Sequence, residues 1–208
     1  MKVISHRGYW RTTDQKNSLL AINAGMEYFD GVETDIRDLK QEIVISHDMP
    51  YSNALTLEEV FSVHAQPGKT LALNIKADGL SDELIRLITK YNVKNYFTFD
   101  MSIPEMVVYK KKGIKFYTSL SDVSETPILL DGASGIWLDS FKSTWYDENY
   151  LFNLKDYEVP ICVVSEELHG RDYINQWNLL SNFEKKYNVS LSLCTDFPKI
   201  AKEFFNDN

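Results

Sequence analysis

Short β-rich apolar runs alternate along the chain with segments of helical period. The runs that predict strands are Val3 to His6, Gly31 to Ile36, Glu42 to His47, Leu71 to Lys76 and Tyr96 to Asp100. They continue with Lys115 to Ser119, Gly135 to Asp139, Pro160 to Ser165 and Leu191 to Thr195. Between most of them the spacing predicts helices. Ser18 to Phe29 carries Leu19, Leu20, Ile22, Ala24, Met26 and Phe29 on one broad side. Thr56-Leu57-Glu58-Glu59 reads as a capping box opening a helix through Val63. Ser81-Asp82-Glu83 starts another, and Ile103-Pro104-Glu105 a fourth, with Pro in the first turn. Asp147 to Leu154, Arg171 to Tyr187 and Pro198 to Phe205 give the rest.

Many of the strand runs are continuously apolar, as expected for a parallel sheet buried on both faces. Strand and helix alternate about eight times. That predicts a (β/α)8 TIM barrel of the α/β class, near the lower length limit of about 200 residues for this fold. Residues 1–208 are expected to form one compact domain, with an open doubly wound sheet as the other arrangement. Neither Gly-rich nucleotide loop, GxGxxG or GxxxxGK[ST], occurs in the sequence.

Composition narrows the function classes. The 208 residues hold 22 Lys plus Arg against 30 Asp plus Glu, a formal charge of −8. That balance argues against nucleic acid as a partner, since a nucleic-acid binder carries a basic stripe. An anionic small molecule stays possible, because a local positive pocket can sit in a negative field. No run reaches the ~20 apolar residues of a membrane span, so no integral membrane association is expected. The N-terminus lacks an apolar signal core, and the expected location is cytoplasmic. Cys162 and Cys194 lie far apart in apolar runs and read as reduced core thiols. The oligomeric state is open.

The polar residues gather at strand ends. Strand one ends in Ser5-His6-Arg7-Gly8, strand two carries Glu33-Thr34-Asp35, and the extra strand ends in Ser46-His47-Asp48. Asn74-Ile75-Lys76, Asp100, Asp139, Ser165-Glu166 and Thr195-Asp196 close later strands. In a barrel these ends meet on the catalytic face. Glu33 and Asp35, at i and i+2, project to the same side. Two adjacent carboxylates repel unless a cation lies between them, and a hard divalent ion such as Mg²⁺ or Ca²⁺ suits oxygen ligands. The plain alternative is a pair of solvated charges at a strand edge. His6 and His47 flank the acids, and imidazoles on opposite sides of a phosphate can serve as base and acid. The Arg7 fork and the Lys76 point charge suit phosphate oxygens. Asn74 either lends its carbonyl oxygen to the metal or hydrogen-bonds across the barrel. His64 reads as a surface helix residue, His169 as a residue at the edge of the site at most, and Trp137 as the tryptophan nearest a ligand.

These residues form an ordered set. His6-Arg7-Gly8, Asn17, Gly31-Val32-Glu33-Thr34-Asp35, His47-Asp48 and the late Thr195-Asp196-Phe197-Pro198 resemble the signature of the glycerophosphodiester phosphodiesterases, in the wider superfamily of phospholipase-C-like phosphodiesterases. The resemblance implies a (β/α)8 barrel, a divalent metal at Glu33 and Asp35, His6 and His47 as general acid/base pair, and Arg7 and Lys76 on the phosphate. It implies metal-dependent cleavage of a small-molecule glycerophosphodiester. Three departures stand out. The family's third acidic ligand, in its E-x-K strand, is Asn74 here. Its P-E-N segment reads Gln15-Lys16-Asn17. Its insertion after His-Asp shrinks to about twenty residues. Asp100, Asp139 or Glu166 are candidates for a missing ligand. The Asn74 exchange also leaves room for a phosphate-binding pseudoenzyme. A barrel enzyme of unrelated chemistry would need a deeply buried lysine, for which Lys76 is the candidate.

Overall fold

A computed structural model describes residues 1–64 and 68–207, the side chains of His64 and Asp207 excepted; the expectation for His64 therefore lies outside what is described. Two compact units make up the chain, Ile4–Phe116 and Tyr117–Asn208 with Met1–Val3.

In the first unit the order is β1 (Lys2–His6), α1 (Leu19–Tyr28), β2 (Gly31–Leu39), β3 (Glu42–Ile45), α2 (Leu57–His64), β4 (Thr70–Ile75), α3 (Ser81–Tyr91), β5 (Tyr96–Phe99) and α4 (Ile103–Lys112). Strands β1, β2, β4 and β5 lie side by side in parallel, and β3 pairs antiparallel with β2. A parallel bridge from Thr98 to Phe116 continues the bonding past β5. In the second unit β6 (Tyr117–Leu120), β7 (Gly135–Leu138), α5 (Glu148–Leu154), β8 (Ile161–Val164), α6 (Ile174–Tyr187), β9 (Ser192–Thr195) and α7 (Pro198–Asp207) follow. Its strands run in sequence order, also parallel. The strand order of the sheet is β5-β4-β2-β1-β9-β8-β7-β6, that of a (β/α)8 barrel.

The buried runs explain the sheet. Gly31 to Ile36, Leu71 to Ile75, Gly135 to Leu138 and Ile161 to Val164 are buried at every position, inward and outward alike. Helices start where the sequence places polar caps. Ser18 Oγ accepts from Ala21 N at 3.2 Å, Ser102 Oγ from Glu105 N at 3.3 Å, and Asp147 Oδ1 from Tyr150 N at 2.8 Å. The capping box closes reciprocally: Glu59 N donates to Thr56 Oγ1 at 3.1 Å, and Thr56 N to Glu59 Oε2 at 2.8 Å. Helix α1 packs very close to the sheet. A Cβ on Gly25 would stand 2.4 Å from Ser5 Oγ and 2.5 Å from Val32 Cγ2, so glycine is required there.

Some boundaries differ from expectation. β2 runs on to Leu39, because Arg37-Asp38-Leu39 pair with β3 across a two-residue turn at Lys40 and Gln41. Both turn residues have positive φ, 49° and 70°. Hairpin turns of this kind favour Asn and Gly, and Lys-Gln carries no such signal. Between β6 and β7, where no helix is expected, stands a 3-10 turn, Leu130–Gly132. Helix α6 starts at Ile174, three residues later than expected, where Asp172 Oδ1 accepts from Ile174 N at 3.0 Å. Cys162 and Cys194 are buried free thiols.

Candidate active site

Register decides which side chains share a face. His6 lies opposite Glu33 between β1 and β2, and Asp35 opposite Asn74 between β2 and β4. Ser5 and Val32 point at Gly25 of α1. Their strand neighbours His6 and Glu33 therefore face away from that helix, and Asp35 and Asn74 follow by alternation and register.

Arg7 joins the acids. Its backbone is left-handed, φ 56°, and turns the chain so that one residue reaches both carboxylates. Arg7 N donates to Glu33 Oε2 at 3.1 Å, while Nε stands 2.8 Å from Asp35 Oδ2. His6 Nε2 is 3.8 Å from the same Glu33 Oε2. Lys76 Nζ stands 3.4 Å from Asp35 Oδ1. Asn17 completes the cradle: its Nδ2 donates to Asp35 Oδ2 at 2.8 Å, its Oδ1 accepts from Thr34 Oγ1 at 2.8 Å, and its backbone N donates to Arg7 O at 2.9 Å. Motif matching picks out Asn17 but not this orienting role.

Glu33 and Asp35 are 1% and 0% exposed. Burial, then the charge of Asp35, pushes the Glu33 carboxyl up to about 8, against the pull of Arg7 and Lys76. A carboxyl so displaced is short of positive charge. Asn74 Oδ1 and Asp35 Oδ1 are buried and accept no hydrogen bond, Asp35 Oδ1 having only the Lys76 ammonium at 3.4 Å, and an unbonded buried acceptor is costly. With Glu33 they form an all-oxygen donor set that fits a hard divalent ion. Among the described residues no three His, Cys, Asp or Glu side chains cluster as a metal site; the set here is two carboxylates and an amide.

His47 follows β3, where Ser46 N donates to Asp35 O at 3.0 Å. Its ring is 45% exposed, and Nδ1 pairs with Asp48 Oδ1 at 2.9 Å. The structure thus brings His6, Arg7, Glu33, Asp35 and Lys76 into contact, Asn74 into register with them, and His47 to the end of the adjoining hairpin. Lys76 is an ion-paired, partly exposed lysine rather than a deeply buried one.

The other candidates have partners of their own. Glu166 binds Arg171 and accepts from Thr144 Oγ1 at 2.6 Å. Asp139 pairs with His169. Asp100 is exposed with φ 61°, and Trp137 is buried within β7. The Thr195-Asp196-Phe197-Pro198 segment is shaped by Glu167, which accepts from Thr195 Oγ1, Ser165 Oγ and Asp196 N. Burial raises the Glu167 carboxyl. The sequence pattern did not single Glu167 out.

The C-terminal ends of the parallel strands thus carry imidazole, carboxylate, guanidinium and ammonium groups side by side. Glycerophosphodiester phosphodiesterases from Parabacteroides distasonis and Agrobacterium tumefaciens superpose with TM-scores of 0.70 and 0.72 at 14% and 12% identity. The first alignment covers 99% of this chain and 97% of that chain, the second 98% and 99%. An Oleispira antarctica phosphodiesterase, in complex with its product sn-glycerol-3-phosphate, superposes with TM-score 0.71 at 18% identity, over 99% of this chain and 97% of that one. A Ca²⁺-dependent phosphatidylinositol-specific phospholipase C from Streptomyces antibioticus matches more loosely, TM-score 0.56 at 10% identity, over 98% and 95%. No protein-family model matches the chain, and no curated protein does. At these identities the likeness concerns the fold. Among the described residues no helix is long and apolar enough to cross a membrane.

Proposed function

We propose that the chain, acting as one domain, is a metal-dependent phosphoric diester hydrolase that cleaves a glycerophosphodiester-type bond in a small cytoplasmic substrate. The observation that carries this reading is the bridging of Glu33 and Asp35 by Arg7 with His6 beside them. Of the ordered motif, His6, Arg7, Asn17, Glu33 and Asp35 meet there. Arg7 and Lys76 bind the phosphodiester oxygens, with fork and point charge respectively. Glu33, Asp35 and Asn74 hold Mg²⁺ or Ca²⁺, which when bound supplies positive charge against the charge that develops at phosphorus. Of His6 and His47, one takes the proton of the attacking hydroxyl, from water or from the substrate, and the other protonates the leaving alkoxide. The Asp48 carboxylate fixes the His47 ring orientation. Asn17 keeps Asp35 in place.

Bis(p-nitrophenyl) phosphate assayed with and without Mg²⁺, Ca²⁺ or Mn²⁺ tests the reading. Metal-stimulated release of nitrophenol is expected. Phosphodiester binding without turnover across a substrate panel would instead favour a pseudoenzyme on the same barrel, a second reading motivated by Asn74 where the family has an acid.

Asn74 gives a sharper measurement. Asn74→Glu adds a charge to the donor set and is expected to lower the Kd for Ca²⁺ or Mn²⁺ by about tenfold, equivalent to about 1.4 kcal/mol. Unchanged or weaker binding by calorimetry would remove position 74 from the metal shell.

A further inference from the structure

The site face of β2 does not end with the acids. Glu33, Asp35 and Arg37 stand at i, i+2 and i+4 of this strand, so all three project to one side. On one flank Arg37 lies opposite Val44 of β3, a buried apolar side chain that accepts nothing. On the other flank lies Lys76. There β4 stays paired as far as Ile36 and Ile75, and Lys76 N donates to Ile36 O at 2.9 Å. Neighbouring strands are about 4.8 Å apart, so Arg37 and Lys76 leave the sheet as adjoining cations.

Their partners differ. Lys76 Nζ and Arg7 Nε both turn to Asp35, at 3.4 and 2.8 Å. Among the described residues Arg37 makes no ion pair, and its one hydrogen bond runs from Nη1 to the carbonyl of His47, long at 3.3 Å. Its Nε is buried and donates to no acceptor. The acids of the hairpin do not serve it. Asp38 is exposed and, by alternation, on the opposite face. Asp48 is 93% exposed and pairs with His47 Nδ1. A buried donor without an acceptor is costly, and the guanidinium fork matches a carboxylate or a phosphate. The bond to His47 O sets these unmet donors beside the second imidazole.

The charges of the site already balance without Arg37. Arg7 and Lys76 stand against Glu33 and Asp35. A divalent ion bound there more than covers the single charge of a phosphodiester. Arg37 is an additional cation on the same face. We propose that Arg37 forms a subsite for a second anionic group of the substrate, so that the diester carries a carboxylate or a phosphate monoester on one of its alcohols. The inference rests on the phosphodiesterase reading for the other end of the ligand.

Calorimetry of the full chain in chelator, where metal-dependent turnover is off, tests it with two matched pairs. Glycerophosphoserine differs from glycerophosphoethanolamine by one carboxylate, and glycerophosphoglycerol is compared with its terminal phosphate monoester. Wild type is expected to bind the more anionic member of at least one pair about tenfold tighter, the scale of a hydrogen bond to a charged group. The pair that shows this tells carboxylate from phosphate. Arg37→Gln is expected to bring the ratio close to one, and the ratio cancels any general weakening. Should Arg37→Gln fail to fold, Arg37→Met keeps the apolar stem and gives the same comparison. No binding of any of the four, equal affinities within both pairs, or a preference that survives loss of the guanidinium would overturn the subsite. So would equal weakening of both members of a pair, which would put Arg37 on the phosphodiester itself. Hydrolysis of the same pairs with Mg²⁺ keeps the two readings apart. Preference without hydrolysis removes the hydrolase and leaves the subsite standing, and hydrolysis without preference does the reverse.

Discussion

Alanine at His6 is expected to lower turnover of a phosphodiester by about 10²- to 10⁴-fold, the scale on which a positioned proton donor or acceptor acts. The fall should lie in kcat rather than KM, because Arg7 and Lys76, which carry the charges matched to the phosphate, stay in place. His6 ends β1 on the rung of Glu33, and its Nε2 stands 3.8 Å from Glu33 Oε2. That separation is too long for a hydrogen bond to Glu33, and Glu33 keeps its bond from Arg7 N, so the truncation leaves the acid in place. His47→Ala should behave alike in kcat and cost the fold less, since its ring is 45% exposed against 16% for His6. Steady-state kinetics with thermal melts on the same samples separates the two effects. Near-wild-type kcat in His6→Ala would remove the imidazole from the chemistry.

The features that could be read from the sequence are those governed by local rules. Continuous apolar runs identify strands buried on both faces, and the Ser18, Ser102 and Asp147 caps and the Thr56–Glu59 box mark helix starts. The i, i+2 spacing of Glu33 and Asp35 alone puts them on one face. What escapes is set by tertiary partners or by unusual backbone. The left-handed Arg7, which lets one residue serve two carboxylates, has no Gly, Asn or Asp side-chain signal to announce it. The Lys40–Gln41 turn lacks the Asn-Gly chemistry that flags a hairpin. Glu167 gains its role only because Thr195, 28 positions later, donates to it. Asp139 and Glu166 look from sequence like spare metal ligands, yet each is matched to a cation-forming side chain, His169 and Arg171.

The two acids of the site should respond to neutralisation with opposite signs. Asp35 is wholly buried, 2.8 Å from Arg7 Nε and 3.4 Å from Lys76 Nζ, and accepts from Asn17 at 2.8 Å. Asp35→Asn leaves two cations without that charge. Breaking a buried pair costs about 3–5 kcal/mol. The lower end applies here, because Arg7 and Lys76 keep 22% and 21% exposure and can turn to water. At about 2–4 °C per kcal/mol for a chain of this size, a drop of roughly 6–12 °C in Tm is expected. Glu33 differs because its carboxyl is raised from 4.5 to about 8. Between those values the metal-free native state holds a proton that the unfolded chain has released, so stability falls as pH rises through that window. Glu33→Gln imitates the protonated form. It should flatten this decline and raise the Tm of metal-free protein at pH 8, while matching wild type near pH 4.5. Added Ca²⁺ or Mg²⁺ should restore wild type at pH 8 and leave Glu33→Gln unmoved. Melts of the three proteins across pH, in chelator and in metal, give the comparison. A Glu33→Gln less stable than wild type at pH 8 without metal would mean that Arg7 and Lys76 already hold Glu33 ionised, leaving no unmet negative charge to draw a cation to the site.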